Sequence, residues 1–216
     1  MRIFIDPGHG GGDSGAVGPT GIMEKTIVLR IGKELGRLLE SKHDVYYTRR
    51  TDVFVPLRSR ASISNAIDGV DLFLSIHCNA GGGIGFEAFT SRGETAADSW
   101  ATRFLENFED WFPDRPFRKD LSDGDPDKEA GFTVLTKTNA PAVLFECGFI
   151  DHDEEEQWLK EHTMQFAQCF ADTINGVNFN PTPKSASPTA LELLAAREQI
   201  EAAQVLLTCA MDNLLS

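Results

Sequence analysis

The chain has 216 residues, 41% of them apolar and 25% charged, with a formal net charge of −13. That length carries one globular domain with room for an appendage, and the acidic balance argues against a nucleic-acid binder, because phosphate binding depends on clustered Lys and Arg. Cys78, Cys147, Cys169 and Cys209 stand far apart with no CxxC pair, which reads as reduced, buried thiols rather than a disulfide or metal framework.

The first residues, RIFID (2–6), predict a short buried strand. A secretory signal is not legible there, and no apolar run reaches bilayer length. The expectation is synthesis in the cytoplasm without a signal peptide, no membrane insertion, and action elsewhere only after release. Residues 24–41 carry apolar side chains at 28, 31, 35, 38 and 39, the spacing of an amphipathic helix. DVYYT (44–48) predicts a strand, 56–67 a helix with Pro56 in its first turn, and VDLFLSIH (70–77) a further buried strand. GFEAFT (85–90) is another strand candidate, 95–111 an amphipathic helix, and 113–130 a loop rich in Pro, Asp and Gly. TVLT (133–136) and AVLFE (142–146) predict strands, and 153–175 one or two helices. Strands alternating with helices give an α/β fold with a largely parallel sheet.

Residues 178–188, which include NPTPKSASP, read as a linker. Thr189 and Glu192 then form a capping box for a helix over 189–216. Its stripe of Leu193, Ala196, Ile200, Ala203, Leu207, Ala210 and Leu214 suits docking on its own domain or self-association into a homo-oligomer.

In α/β sheets, ligands sit beyond the carboxyl ends of the strands. His9 follows the first strand, His77 ends VDLFLSIH and Glu146 ends AVLF. Glu24 opens the first long helix. Taken singly, a histidine after a strand is a satisfied structural residue, and a glutamate opening a helix is a surface residue favoured by the helix dipole. Together, two imidazoles and a carboxylate suit Zn²⁺ with one coordination position left open. Glycines around His9 free its backbone to turn. A carboxylate such as Glu146 can take a proton from an acidified water and return it to a leaving amine.

Asp6-Pro7-Gly8-His9-Gly10-Gly11, then DSGAVG and GIMEK, open a longer pattern. It continues through YTRRTD (47–52), LRSRASISN (57–65), DLFLSIHCNA (71–80), GFEAF (85–89) and PAVLFECGFID (141–151). Over residues 1–177 the chain resembles the zinc-dependent N-acetylmuramoyl-L-alanine amidases of type 3, peptidoglycan hydrolases that include phage-type endolysins. The linker and last helix fall outside that likeness. The resemblance implies one Zn²⁺ per chain held by His9, Glu24 and His77, with Glu146 as the catalytic carboxylate. It implies cleavage of the amide between N-acetylmuramic acid and the L-alanine of the stem peptide. It also implies a mixed, mainly parallel sheet of about six strands with helices on both faces, the C-terminal helix being an appendage.

Arg49 and Arg60 match family positions and read either as ion pairs holding loops or as forks for a stem-peptide carboxylate. Asn79 is expected at the substrate as well. Cys78 and Cys147 stand where the family has aliphatic or small residues. Because side chains alternate along a strand, Cys78 is expected to point away from the face of His77. Asp151 and His152 mark the rim, and His43 and His162 are expected on the surface. The run DGDPDKE (123–129) lacks the glycine and glutamate of an EF-hand loop in register and reads as a solvated loop.

Three other readings compete. Gly10, Gly12 and Gly15 satisfy a dinucleotide fingerprint after a strand, but AVGPTG cannot open a helix at once, as that fingerprint requires. A non-catalytic wall-binding module would lack one of the four site residues, and all four are present. A metallocarboxypeptidase-type activity would share the zinc site and differ only in substrate. A compact chain without repeated wall-binding modules suits a phage lysin released by a holin more than a lysin freed from a sporulating mother cell.

Overall fold

The computed structural model describes residues 1–122 and 124–177. The predicted linker at 178–188, the helix at 189–216 with its self-association, and Cys209 lie outside the described residues. The elements run β1 (Arg2–Pro7), α1 (Glu24–Leu39), β2 (Asp44–Tyr47), α2 (Leu57–Asn65), β3 (Leu72–Asn79), β4 (Glu87–Thr90), α3 (Asp98–Trp111), β5 (Lys128–Glu129), α4 (Thr133–Thr136), β6 (Ala142–Phe149) and α5 (Asp153–Asn175).

The six strands form one sheet in the order β2-β1-β3-β6-β4-β5. All neighbours are parallel except β4 and β6. The sheet is therefore mixed and mainly parallel, as the resemblance implies. Side-chain alternation divides it into two faces. Ile3, Ile5, Leu72, Leu74, Ile76, Val143 and Phe145 join the larger core with apolar residues of α1, α3 and α5. Phe4, Phe73, Ala142 and Leu144 point the other way and pack with Val134 and Leu135 of α4, which in turn contacts α2. Phenylalanines knit the larger core, with Phe108 and Phe145 ring centroids 4.5 Å apart in the range favoured by aromatic pairs.

The face of Phe4, Phe73 and Leu144 becomes polar as the strands run on. Asp6 follows Phe4 by two residues, Ser75 and His77 follow Phe73, and Glu146 follows Leu144. Two-residue steps keep one face, so these strands turn from core to site along their length. His77 and Glu146 are register partners within β3 and β6, not at the strand ends expected from the sequence.

The largest departure is TVLT. It forms a helical turn, α4, not a strand. A strand would send Val134 and Leu135 to opposite faces, whereas a helical turn buries both against the same sheet face. Thr136 and Thr138 hydroxyls back-bond to the carbonyls of Phe132 and Val134, a local option open to threonine. The loop at 113–130 contains the two-residue strand β5, parallel to β4. Residues 153–175 are a single helix closed by Gly176 in the left-handed region. His43 and His162 are half-buried rather than on the surface: His43 Nε2 meets Asn175 Oδ1 at 3.2 Å, and His162 stacks on Trp158. Cys78, Cys147 and Cys169 are buried free thiols, and Cys78 lies in the larger core, away from His77 as expected.

Candidate metal centre

Three elements deliver three donors to one point at the carboxyl edge of the sheet. His9 lies on the loop after β1, Glu24 is the first residue of α1, and His77 lies near the end of β3. Their ligand atoms all fall within 4.8 Å of one another, and among the described residues no other trio of His, Cys, Asp or Glu converges in this way. His9 Nε2 is 3.0 Å from Glu24 Oε2, and His77 Nδ1 is 3.0 Å from Glu24 Oε1. The two rings meet edge to face at 5.1 Å.

Glu24 is 3% exposed, and burial alone would raise its pKa. The two imidazoles outweigh that and hold its carboxyl well below the usual range. Burial likewise lowers His9 and His77, but hydrogen bonding to Glu24 and its charge leave both raised overall. Backbone amides fix the carboxylate from both sides: Ala16 N–H donates to Oε2 and Cys78 N–H to Oε1, each at 2.9 Å. Two ring nitrogens and one carboxylate, preset and partly desolvated, are a donor set suited to zinc.

Close approach explains two of the glycines. A Cβ on Gly8 would overlap the His77 ring, and one on Gly15 would stand 2.6 Å from His9 Cδ2. Gly15 also has φ +64°, and His9 itself takes φ +59°, a conformation that histidine tolerates better than bulkier or branched residues. Asp13, not singled out from the sequence, holds His9 there. Its Oδ2 is 3.0 Å from His9 Nδ1 and its Oδ1 accepts from Gly15 N–H. With Nδ1 engaged, Nε2 is the nitrogen left facing the centre.

Arg49 and Arg60 lie beneath this loop. Both are buried, at 3% and 4% exposure. Arg60 donates to Asp6 Oδ1, Pro7 O and His9 O. Arg49 donates to Pro7 O, Gly8 O, Thr51 O and Lys25 O. Of the two readings, this geometry favours the loop-holding one: both side chains clamp the segment that carries His9. Among the described residues, of the two only Arg60 forms an ion pair, with Asp6. The Asn79 amide donates to Glu87 Oε2 and its Oδ1 accepts from Ala80 N–H.

Glu146 stands beside His77 on the adjacent strand. Its Oε2 is closed off from solvent and has no hydrogen-bond partner among the described residues. Burial pushes its carboxyl up to about 7 against the pull of His77, the range in which a group can both accept and donate a proton near neutral pH. At the rim, Asp151 accepts from the backbone of Gly81 and Gly82 and ties down the glycine loop after β3. His152 precedes α5 as its N-cap.

Residues 3–176 match the sequence profile of the N-acetylmuramoyl-L-alanine amidase family. A sporulation-specific N-acetylmuramoyl-L-alanine amidase of Bacillus subtilis is 36% identical over 79% of this chain and 64% of its own length. The endolysin of Bacillus phage SPP1 is 40% identical over 74% of this chain and 58% of its own. The chain thus spans less than two thirds of both relatives. Among solved structures, N-acetylmuramoyl-L-alanine amidase AmiC2 of Nostoc punctiforme superposes with a TM-score of 0.74 at 30% identity, covering 82% of this chain and 96% of that one. By sequence profile, by identity and by fold, the chain belongs to the N-acetylmuramoyl-L-alanine amidase family.

Proposed function

We propose that the protein is a zinc-dependent peptidoglycan hydrolase that cleaves the amide between N-acetylmuramic acid and the L-alanine of the stem peptide. The observation that carries the reading is the unpartnered, buried Oε2 of Glu146 beside the His9–Glu24–His77 cluster. An ionisable oxygen left without a partner in a protein interior is costly, and such a group marks a site where a proton is to be handled. His9, Glu24 and His77 would hold the metal. Zinc, when bound, supplies Lewis acidity that acidifies water and polarises an amide carbonyl.

The remaining steps fall to the chain. Glu146, with its carboxyl raised to about 7, takes a proton on its carboxylate as water attacks the amide carbon. It then gives that proton to the departing nitrogen of L-alanine as the C–N bond breaks. Asp13 keeps His9 oriented throughout, and Arg49 and Arg60 keep its loop from relaxing. Because the substrate is a wall polymer, the place of action is the wall. A lysin that reaches it after release from the cytoplasm, of phage or sporulation type, fits both relatives.

The test is mass spectrometry of products from defined muropeptides, with a metal assay on the same samples. The wild type is expected to release peptides beginning with L-alanine. Glu146→Gln is expected to keep one zinc per chain and lose about 10²–10⁴-fold in kcat. Zinc retained by the wild type without cleavage of this amide would overturn the substrate. Full activity in Glu146→Gln would overturn the mechanism.

A further inference from the structure

A second charged assembly lies on the face of the sheet that carries His77 and Glu146. Glu87 faces Glu146 across the antiparallel β4–β6 pair and is 3% exposed. Its Oε1 accepts from Arg118 Nε at 3.0 Å and from Lys128 Nζ at 2.5 Å, and its Oε2 from the Asn79 amide. Burial would raise the Glu87 carboxyl, but these donors bring it below the usual range, so it is ionised. Two cations therefore meet on one buried carboxylate, Glu87.

Arg118 uses only Nε on Glu87. Its two terminal nitrogens have no hydrogen-bond partner among the described residues, and its side chain is 47% exposed. The guanidinium stands 5.2 Å from the ring centroid of Phe149, three residues beyond Glu146 on β6. A guanidinium fixed at Nε and resting on an aromatic ring keeps its outer edge free for a planar anion.

We propose that Arg118, held by Glu87 and Phe149 with Lys128 beside it, recognises a free carboxylate of the stem peptide near the bond to be cleaved. The inference rests on the amidase reading above and names the part of the substrate that reaches β4 and β6. Glycan hydroxyls and acetamides are uncharged, and the lactyl carboxyl is consumed in the scissile amide. The free carboxylates near that amide belong to the peptide. Arg118 is thus a specificity residue that distinguishes a carboxylate from its amidated form.

The test compares kcat/KM of the full chain on two N-acetylmuramoyl tripeptides, identical except that the second residue carries an α-carboxylate or a carboxamide. The wild type is expected to prefer the carboxylate about tenfold, as for a charge-assisted hydrogen bond at a partly exposed site. Arg118→Ala should bring the ratio close to one, and Arg118→Lys should restore part of it. Binding of the same pair to Glu146→Gln, measured by calorimetry, reads the preference without turnover. Equal treatment of both peptides by the wild type, or a ratio unchanged in Arg118→Ala, would overturn the inference. Absent turnover, with an Arg118-dependent binding preference, would overturn the amidase reading and leave the carboxylate site standing.

Discussion

Asp13 shows how one residue outside the proposed ligand set can orient a member of it. His9 sits at φ +59° on a loop, with no helix or strand to hold its ring. The Asp13 carboxylate supplies that restraint through Nδ1 and is itself fixed by Gly15 N–H. Partners of this kind set the tautomer and orientation of a ligating imidazole, and their loss costs about 10–100-fold in metal affinity. Asp13→Ala is therefore expected to lower zinc affinity by that factor, measured by competition with a chromogenic chelator, while Asp13→Asn, which still offers an oxygen, falls less. Superimposable titration curves for wild type and Asp13→Ala would remove Asp13 from this role. The convergence of His9, Glu24 and His77 was legible in the sequence through the motifs that carry them, although His77 and Glu146 lie within their strands rather than at the ends. Asp13 was not, since a spacing of four has meaning on a helix and none on a loop. Arg49 and Arg60 were legible as charges, but a sequence does not show burial. That left two readings open, and burial against the carbonyls of Pro7, Gly8 and His9 favours the loop-holding one.

The elements position the centre through helix α1, whose first residue is Glu24 and whose apolar stripe of Ile27, Val28, Ile31 and Leu35 is fully or almost fully buried. Its seat on β1 depends on Gly32. A Cβ there would stand 2.7 Å from Pro7 Cγ and 3.3 Å from Ile5 Cγ2, and the proline ring, tied into its own backbone, cannot swing aside. Helix propensity alone favours Ala over Gly by about 1 kcal/mol, so Gly32→Ala would stabilise a helix free of neighbours. Here the contact reverses the sign, in the range of about 1–3 kcal/mol typical of overpacking. Gly32→Ala is expected to lower the midpoint of urea unfolding and to weaken zinc binding, because lifting α1 moves Glu24 relative to His9. An unchanged or raised midpoint would show that α1 can slide without cost. The periodicity of α1 made the helix legible, whereas its depth against Pro7 depends on a residue remote in sequence. The same limit explains TVLT: the β-branched Thr133, Val134 and Thr136 suit a strand, and only the sheet face beneath turns the segment into α4.

For the whole molecule, the acidic balance leaves a mark on stability through the carboxylates that folding perturbs. Most shifted ones are lowered by donors, among them Asp13, Glu24, Asp52, Glu87 and Asp151, and these favour the native state as pH rises above their unfolded values. Asp127 opposes them. It lies in the acidic run that the sequence presented as a solvated loop, yet it is 2% exposed. Its Oδ2 accepts from the Thr90 hydroxyl at 2.7 Å, and its Oδ1 is buried without a donor. Burial, reinforced by Asp125 in hydrogen-bonding reach and by the charge of Asp98, and opposed by Thr90, pushes its carboxyl up to about 7. The unfolded chain releases this proton near the model-peptide value of about 3.9, whereas the native state keeps it to about 7. Between those values the native state binds more protons, so this group's contribution falls as pH rises and stays low above pH 7. Asn resembles the protonated form: it can accept from Thr90 and donate to Asp125. Asp127→Asn is therefore expected to leave the thermal midpoint nearly unchanged below about pH 4 and to raise it at pH 8, with the difference developing from about pH 4 to about pH 7. A midpoint lowered at pH 8 would mean that the ionised carboxylate stabilises the fold, by a donor or a cation at Oδ1, and would reverse the sign of this account.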